Sequence, residues 1–261
     1  MLIIQYFRLP QQKKYLNSFV ETIRKMFKKH LQLPGNSMKG IISISILAIV
    51  FTITSCSNNE KPAVANPRAA DKNAKAIEKT KTILFFGNSL TAGYGLTPSE
   101  AFPALIQGKL DSLKLPYKII NAGVSGETSS GGNSRIEWIL RQPLDIFVLE
   151  LGGNDGLRGI PLSETKKNLQ SIIDKVKEKN PAARLLIAGM QIPPNMGQKY
   201  TTEFRRVFPD LAKKNGVALV PFLLQDVGGE EKLNQPDGIH PTAEGHKIVA
   251  ENVWKELQKL L

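Results

Sequence analysis

Ser89, Asp237 and His240 are a hydroxyl, a carboxylate and an imidazole, the three side-chain types that together can activate an oxygen nucleophile. Ser89 follows the apolar run Thr82-Ile83-Leu84-Phe85-Phe86-Gly87 and precedes Leu90-Thr91-Ala92-Gly93-Tyr94-Gly95. A run of strand length that stops at a glycine and passes into small polar residues reads as a buried first strand turning into a helix. In open α/β sheets, chemistry sits at the carboxyl ends of the strands, which is where this serine stands. A serine after a strand is equally an ordinary turn or capping residue, so position alone decides nothing. The partners come from Asp237-Gly238-Ile239-His240-Pro241. Three residues apart on a glycine-containing turn, Asp237 and His240 are close enough to hydrogen-bond. The imidazole would take the serine proton, and the carboxylate would fix its tautomer. His246 falls in Thr242–Leu260, which reads as a helix, and is expected to be a surface or internally satisfied residue.

Four ordered blocks carry a family resemblance. Gly87-Asn88-Ser89-Leu90 resembles the first block of the SGNH (GDSL) hydrolases, Ser125-Gly126-Glu127-Thr128 the second, Gly152-Gly153-Asn154-Asp155 the third, and Asp237-Gly238-Ile239-His240 the fifth. The wording around them, Ala92-Gly93-Tyr94-Gly95 and Leu149 to Gly159, is similar to the periplasmic branch called thioesterase I, arylesterase or lysophospholipase. The similarity runs from about Lys81 to the C-terminus. It implies Ser89 as nucleophile, His240 as base and Asp237 as its orienting acid. It also implies an oxyanion hole made by the backbone N–H groups of Ser89 and Gly126 and the side-chain amide of Asn154. Gly126 suits that task because a missing Cβ lets a substrate approach the backbone. Asn154 donates without adding charge. One residue departs from the pattern: Asn88 stands where the family usually carries Asp, keeping an acceptor oxygen but no charge.

Other motifs point elsewhere and fall short. Gly123-Val124-Ser125-Gly126-Glu127 nearly matches the nucleophile elbow G-x-S-x-G, but position 127 is Glu and no base remains for Ser125. Gly93-Tyr94-Gly95 is followed by Leu96-Thr97-Pro98, so a dinucleotide fingerprint lacks its third glycine. Asp237 and His240 have no further His or Cys around them, so neither a metal nor another cofactor is expected. The loop Met190 to Gly197 follows the fourth predicted strand. Its Ile192, Pro193 and Met196 are candidates for the wall of an acyl pocket, and an ordinary crossover loop fits the composition equally well.

These residues need a scaffold that gathers strand ends along one edge. From Lys81 onward, short apolar runs alternate with helical patterns, the signature of βαβ units. Strands are predicted at about 82–87, 117–121, 145–151, 184–189 and 217–221, and helices at about 99–114, 130–141, 163–179, 201–214 and 242–259. Pro181 and Gly216 sit just after helices, as terminators do. The expected fold is a three-layer α/β/α sandwich around a five-stranded parallel sheet, flavodoxin-like as in the SGNH hydrolases, spanning residues 81–261.

The formal charge of +12 divides into +7 for residues 1–56 and +5 for the rest, with no basic run interleaved with aromatics, so nucleic-acid binding is not indicated. Met38-Lys39-Gly40 and the apolar Ile41–Thr54 describe a signal peptide over residues 38–55, too short for a bilayer-crossing helix. Cys56, the sole cysteine, follows Ile-Thr-Ser and resembles the lipidated cysteine of a bacterial lipoprotein. Residues 1–37 read as an over-extended start or a cytoplasmic extension, and 56–80 as a flexible linker beyond the lipidated cysteine. The expectation is a monomeric serine esterase, anchored by lipid in the bacterial envelope and facing the periplasm. Its substrates would be small acyl esters, lysophospholipids or acyl thioesters. A carbohydrate O-deacetylase of the same superfamily is the alternative, and a non-catalytic binding lipoprotein a third.

Overall fold

The computed structural model describes residues 80–261. The expected start extension, signal peptide, lipidated Cys56 and all but the last residue of the linker lie outside the described residues. Five strands, β1 (Lys81–Gly87), β2 (Tyr117–Asn121), β3 (Ile146–Glu150), β4 (Arg184–Ala188) and β5 (Ala218–Val220), pair in the order β2-β1-β3-β4-β5, all parallel. In β1 every residue from Ile83 to Gly87 is buried, and in β3 all five are. That explains their unbroken apolar runs: these strands are covered on both faces and have no wet side to alternate toward. β2 is an edge strand, and Gln107 closes part of that edge by accepting from Ile119 N–H and donating to Tyr117 C=O.

Among the described residues seven α-helices accompany the sheet: α1 (Ser89–Ala92), α2 (Phe102–Ser112), α3 (Ser129–Ile139), α4 (Gly153–Leu157), α5 (Leu162–Lys179), α6 (Gln198–Asn215) and α7 (Ala243–Leu257). The β1–β2 crossover steps toward one edge of the sheet, whereas the next three step toward the other. Right-handed crossovers therefore put α2 on one face and α3, α5 and α6 on the opposite face. The packing agrees, since α2 lies against α7, α3 against α5, and α5 against α6. Each long helix supplies an apolar stripe at helical spacing, such as Phe102, Ile106 and Leu110 in α2 and Leu169, Ile172, Ile173 and Val176 in α5. Burying one such side chain contributes roughly 1.5–3 kcal/mol. Phe85 meets Phe102 edge-on at 5.6 Å on the α2 face, and Phe86 points the other way, toward α3.

This is the expected sandwich, and the differences are local. The predicted helix at 99–114 starts at Phe102, because Thr97–Glu100 forms its own turn, with the Glu100 carboxylate accepting from the Thr97 N–H and hydroxyl. The predicted helix at 242–259 ends at Leu257 in a 3₁₀ turn. The helix expected after β1 had no bounds and is α1, four residues long, whereas α4 is not predicted, since five residues rich in glycine and small polar side chains show no period. β1 and β3 are neighbours whose outgoing chains leave toward opposite faces. A crevice therefore opens beyond their carboxyl ends, at the point where the strand order reverses.

Candidate active site

The turn between β1 and α1 sets Ser89. Asn88 is the N-cap of α1, its Oδ1 accepting from Leu90 N–H at 2.9 Å, which makes Ser89 the first residue of that helix. Gly87 permits the turn to press against β3. A Cβ there would come within 2.1 Å of Thr91 Oγ1 and 2.6 Å of Glu150 Oε2. Glu150, at the end of β3 and 1 % exposed, lies directly beneath. Its Oε2 accepts from Asn88 N–H (3.1 Å), Thr91 N–H (3.3 Å) and the Thr91 hydroxyl (2.8 Å), and its Oε1 accepts from the Asn88 amide at 2.7 Å. Burial pushes the Glu150 carboxyl up to about 7, while those bonds from Thr91 and Asn88 pull against it.

The second component comes from the loop after β5. Asp237 Oδ1 accepts from the N–H groups of Ile239 (2.9 Å) and His240 (3.0 Å), and its Oδ2 lies 2.7 Å from His240 Nδ1. The bond from His240 N–H, then those from the His240 ring and Ile239 N–H, hold the Asp237 carboxyl down at about 2. An ionised carboxylate can only accept, so the proton of a neutral His240 sits on Nδ1 and Nε2 is left with its lone pair. That nitrogen is 2.8 Å from Ser89 Oγ, a residue 151 positions away, and accepts the serine hydroxyl. Asn88 Oδ1, at 3.4 Å, is the weaker alternative acceptor. The Tyr94 ring, 51 % exposed, packs on the imidazole with centroids 4.6 Å apart. Gln235 ties the two loops together. Its amide donates to Tyr94 C=O (2.7 Å) and Pro241 C=O (3.0 Å), and its N–H donates to His240 C=O (2.7 Å).

The third component is a set of donors on the other side of Ser89. After β2 the chain folds over the nucleophile turn, with Ala122 N–H on Phe85 C=O and Val124 N–H on Gly87 C=O. Arg135 of α3 fixes this segment through a two-pronged pair with Glu127 (2.6 Å each) and a bond to Ala122 C=O, its guanidinium 4.0 Å from the centre of the Phe86 ring. Gly126 has φ 78°, a left-handed conformation costly for any other residue, and a Cβ there would face only Arg158 within 4 Å. Asn154 of α4 spends one amide hydrogen on Glu127 C=O at 2.9 Å, which brings it beside Gly126 and leaves its second hydrogen for the crevice. Among the described residues neither Ser89 N–H nor Gly126 N–H has a protein acceptor. The next residue, Asp155, is buried and accepts from Ser129 N–H and the hydroxyls of Ser129 and Thr165, locking α4 to the start of α3.

Ser89, His240 and Asp237 thus form one hydrogen-bonded chain, while Gly126 and Asn154 meet through Glu127. A hydroxyl with a base on one side and uncommitted donors on the other can attack a carbonyl and hold the resulting oxyanion. Ser125 is exposed and makes no bond to either histidine, as its failed motif implied. His246 is not at the surface: it is 1 % exposed, and its Nδ1 accepts Phe102 N–H at 3.1 Å. Of the proposed pocket wall, Ile192 is buried against Gly156 of α4, Pro193 is exposed, and Met196 is half-buried beside Gly159. Glu150, Tyr94 and Gln235 had not been singled out for any role at the site. Each acts across more than fifty residues of sequence; Tyr94 and Glu150 lie in the family-like stretches, but nothing in those stretches assigns them a role.

Comparison with known proteins bears on this arrangement. The GDSL-like Lipase/Acylhydrolase family matches residues 85–248. Esterase TesA of Pseudomonas aeruginosa is 40% identical over 182 residues, covering 69% of this chain and 90% of that protein. The Thioesterase 1/protease 1/lysophospholipase L1 of Escherichia coli K12 is 39% identical over 181 residues, covering 69% and 85%. The crystal structure of the psychrotrophic esterase EstA from Pseudoalteromonas sp., inhibited by monoethylphosphonate, superposes with a TM-score of 0.65 at 32% identity, covering 69% of this chain and 97% of that one. With the motifs, the sheet order and the long matched span all in agreement, the chain belongs to the GDSL-like lipase/acylhydrolase family.

Proposed function

We propose that the protein is a serine esterase acting through an acyl-enzyme intermediate. The observation that carries this reading is the Ser89–His240–Asp237 chain, closed at 2.8 and 2.7 Å between opposite ends of the fold. Ser89 Oγ attacks the ester carbonyl carbon as its proton passes to His240 Nε2. The carbonyl π electrons move onto oxygen, where Ser89 N–H, Gly126 N–H and the free Asn154 amide hydrogen stabilise the charge. Collapse expels the alcohol, which takes the proton from His240, and leaves Ser89 acylated. Water, deprotonated by the same imidazole, then releases the carboxylate product. Asp237 stays ionised throughout and holds the Nδ1–H tautomer.

Relatives named esterase, thioesterase/lysophospholipase and arylesterase support acyl esters, lysophospholipids and acyl thioesters as the substrate class. An alkyl fluorophosphonate tests the assignment. Mass spectrometry should find the adduct on Ser89, and Ser89→Ala should neither react nor hydrolyse p-nitrophenyl butyrate; activity in Ser89→Ala overturns the mechanism.

The sequence around Cys56 supports anchoring by a lipidated cysteine in the bacterial envelope, facing the periplasm. Labelled palmitate should be incorporated into the wild type and lost in Cys56→Ser, and label persisting in the variant would refute the anchor. Two or more chains hold a protein stably at a bilayer, whereas one is marginal.

A further inference from the structure

Glu150 is a buried carboxylate that the mechanism above does not use, yet every polar group facing it belongs to the turn that presents Ser89. All four are donors: two backbone N–H groups, a hydroxyl and an amide. Three converge on Oε2, and the Asn88 amide takes Oε1. The strands beside β3 bring only apolar side chains alongside it, from Ile83 to Phe86 and from Leu185 to Ala188. Apart from Glu150, the titratable group bonded to the turn among the described residues is His240, through Ser89 Oγ.

We propose that Glu150 is a positioning residue of the esterase, matched to Asn88: its carboxyl oxygens accept from the turn and orient the Asn88 amide so that Oδ1 faces Leu90 N–H and Ser89. The argument rests on Ser89 being the nucleophile. An Asn side chain has one acceptor end and one donor end. With the donor end held by Glu150 at 2.7 Å, the acceptor end is left to cap α1 at 2.9 Å, and Ser89 N–H and Oγ are fixed as a consequence. If position 150 offered a donor instead, the Asn88 amide would either face it head-on or flip and lose the Leu90 cap. One bond goes in either case. If Asn88 became a carboxylic acid, two carboxyl groups would share the 2.7 Å contact, and one would have to keep a proton.

The decisive experiment is a polarity swap in the full-length protein. Glu150→Gln should lower kcat on p-nitrophenyl butyrate by about 10- to 100-fold with little change in KM, the size of one lost bond to a charged group. Asn88→Asp should work at acid and neutral pH but acquire an alkaline limb that the wild type lacks, as the shared proton is lost. The double variant Asn88→Asp with Glu150→Gln reverses donor and acceptor while preserving every bond. It should recover kcat to within about threefold of wild type and lose the alkaline limb. Wild-type kcat in Glu150→Gln, or a double variant no faster than Glu150→Gln, overturns the proposal. Should Glu150→Gln not fold, the pH profiles of Asn88→Asp and of the double variant still decide it. Fluorophosphonate separates the two readings. An unlabelled wild-type Ser89 removes the serine mechanism itself, whereas a labelled wild type with equal labelling rates in Glu150→Gln removes only the role of Glu150.

Discussion

Ser89, His240 and Asp237 depend on one another through two short hydrogen bonds, so their substitution should not give additive losses. Asp237→Asn keeps both backbone contacts but lets the imidazole carry its proton on Nε2, and turnover should fall by about 10⁴. Asn154→Ala removes one oxyanion donor and should cost about 10²–10³ in kcat, measured on p-nitrophenyl butyrate. These four residues were legible in the sequence because short motifs carry them. Glu150 was not, for a physical reason. It falls inside the strand predicted at about 145–151 as one polar residue after Ile146-Phe147-Val148-Leu149, and its burial exists only once the Ser89 turn closes over it. Tyr94 stands in the family-like Ala92-Gly93-Tyr94-Gly95, but its role comes only from the imidazole it covers.

Helices α2 and α7 meet at His246, which hydrogen-bonds Phe102 N–H and stacks on the Phe102 ring at 6.0 Å. Burial, aided by the nearby His240, pushes the His246 imidazole down from 6.5 to about 4. The folded protein therefore keeps this ring neutral while the unfolded chain protonates it. The stability it contributes is fully present above pH 6.5 and is lost as the pH falls toward 4. By pH 5 the loss should reach about 2 kcal/mol. Glu150 acts in the opposite sense, its raised carboxyl contributing below 4.5 and losing that contribution as pH rises through about 7. The wild-type melting curve alone would blend the two. His246→Asn keeps an acceptor for Phe102 N–H without titrating, so its Tm should fall less than that of the wild type between pH 7 and 5. Parallel curves would refute the assignment. The helices themselves were readable from their apolar periods, within one to three residues at most ends. The bounds of α1 and the existence of α4 escaped because helices that short are set by caps and tertiary contacts.

The whole fold was legible because a parallel sheet leaves no choice in its pattern: buried strands must be apolar throughout, and crossovers must be helical. The crevice follows from strand order, which puts Ser89 after β1 and Asn154 after β3 on either side of the reversal. Substrate range lies beyond such reasoning, since it depends on the surfaces around the crevice. If an apolar channel receives the acyl chain, each added methylene should improve kcat/KM by about fourfold until the channel is full. A series of p-nitrophenyl esters measures this, and a flat response with good turnover of acetylated sugars would favour the deacetylase alternative. The same architecture has a consequence for biosynthesis. Ser89 emerges from the ribosome 151 residues before His240, so the hydroxyl is made long before anything can deprotonate it. A half-made chain is chemically silent, however well its first strands have paired. Nascent chains arrested short of His240 should ignore a fluorophosphonate. Chains carried on a linker long enough to free the last loop and α7 should be labelled, which makes the final helix to dock the step that turns the enzyme on.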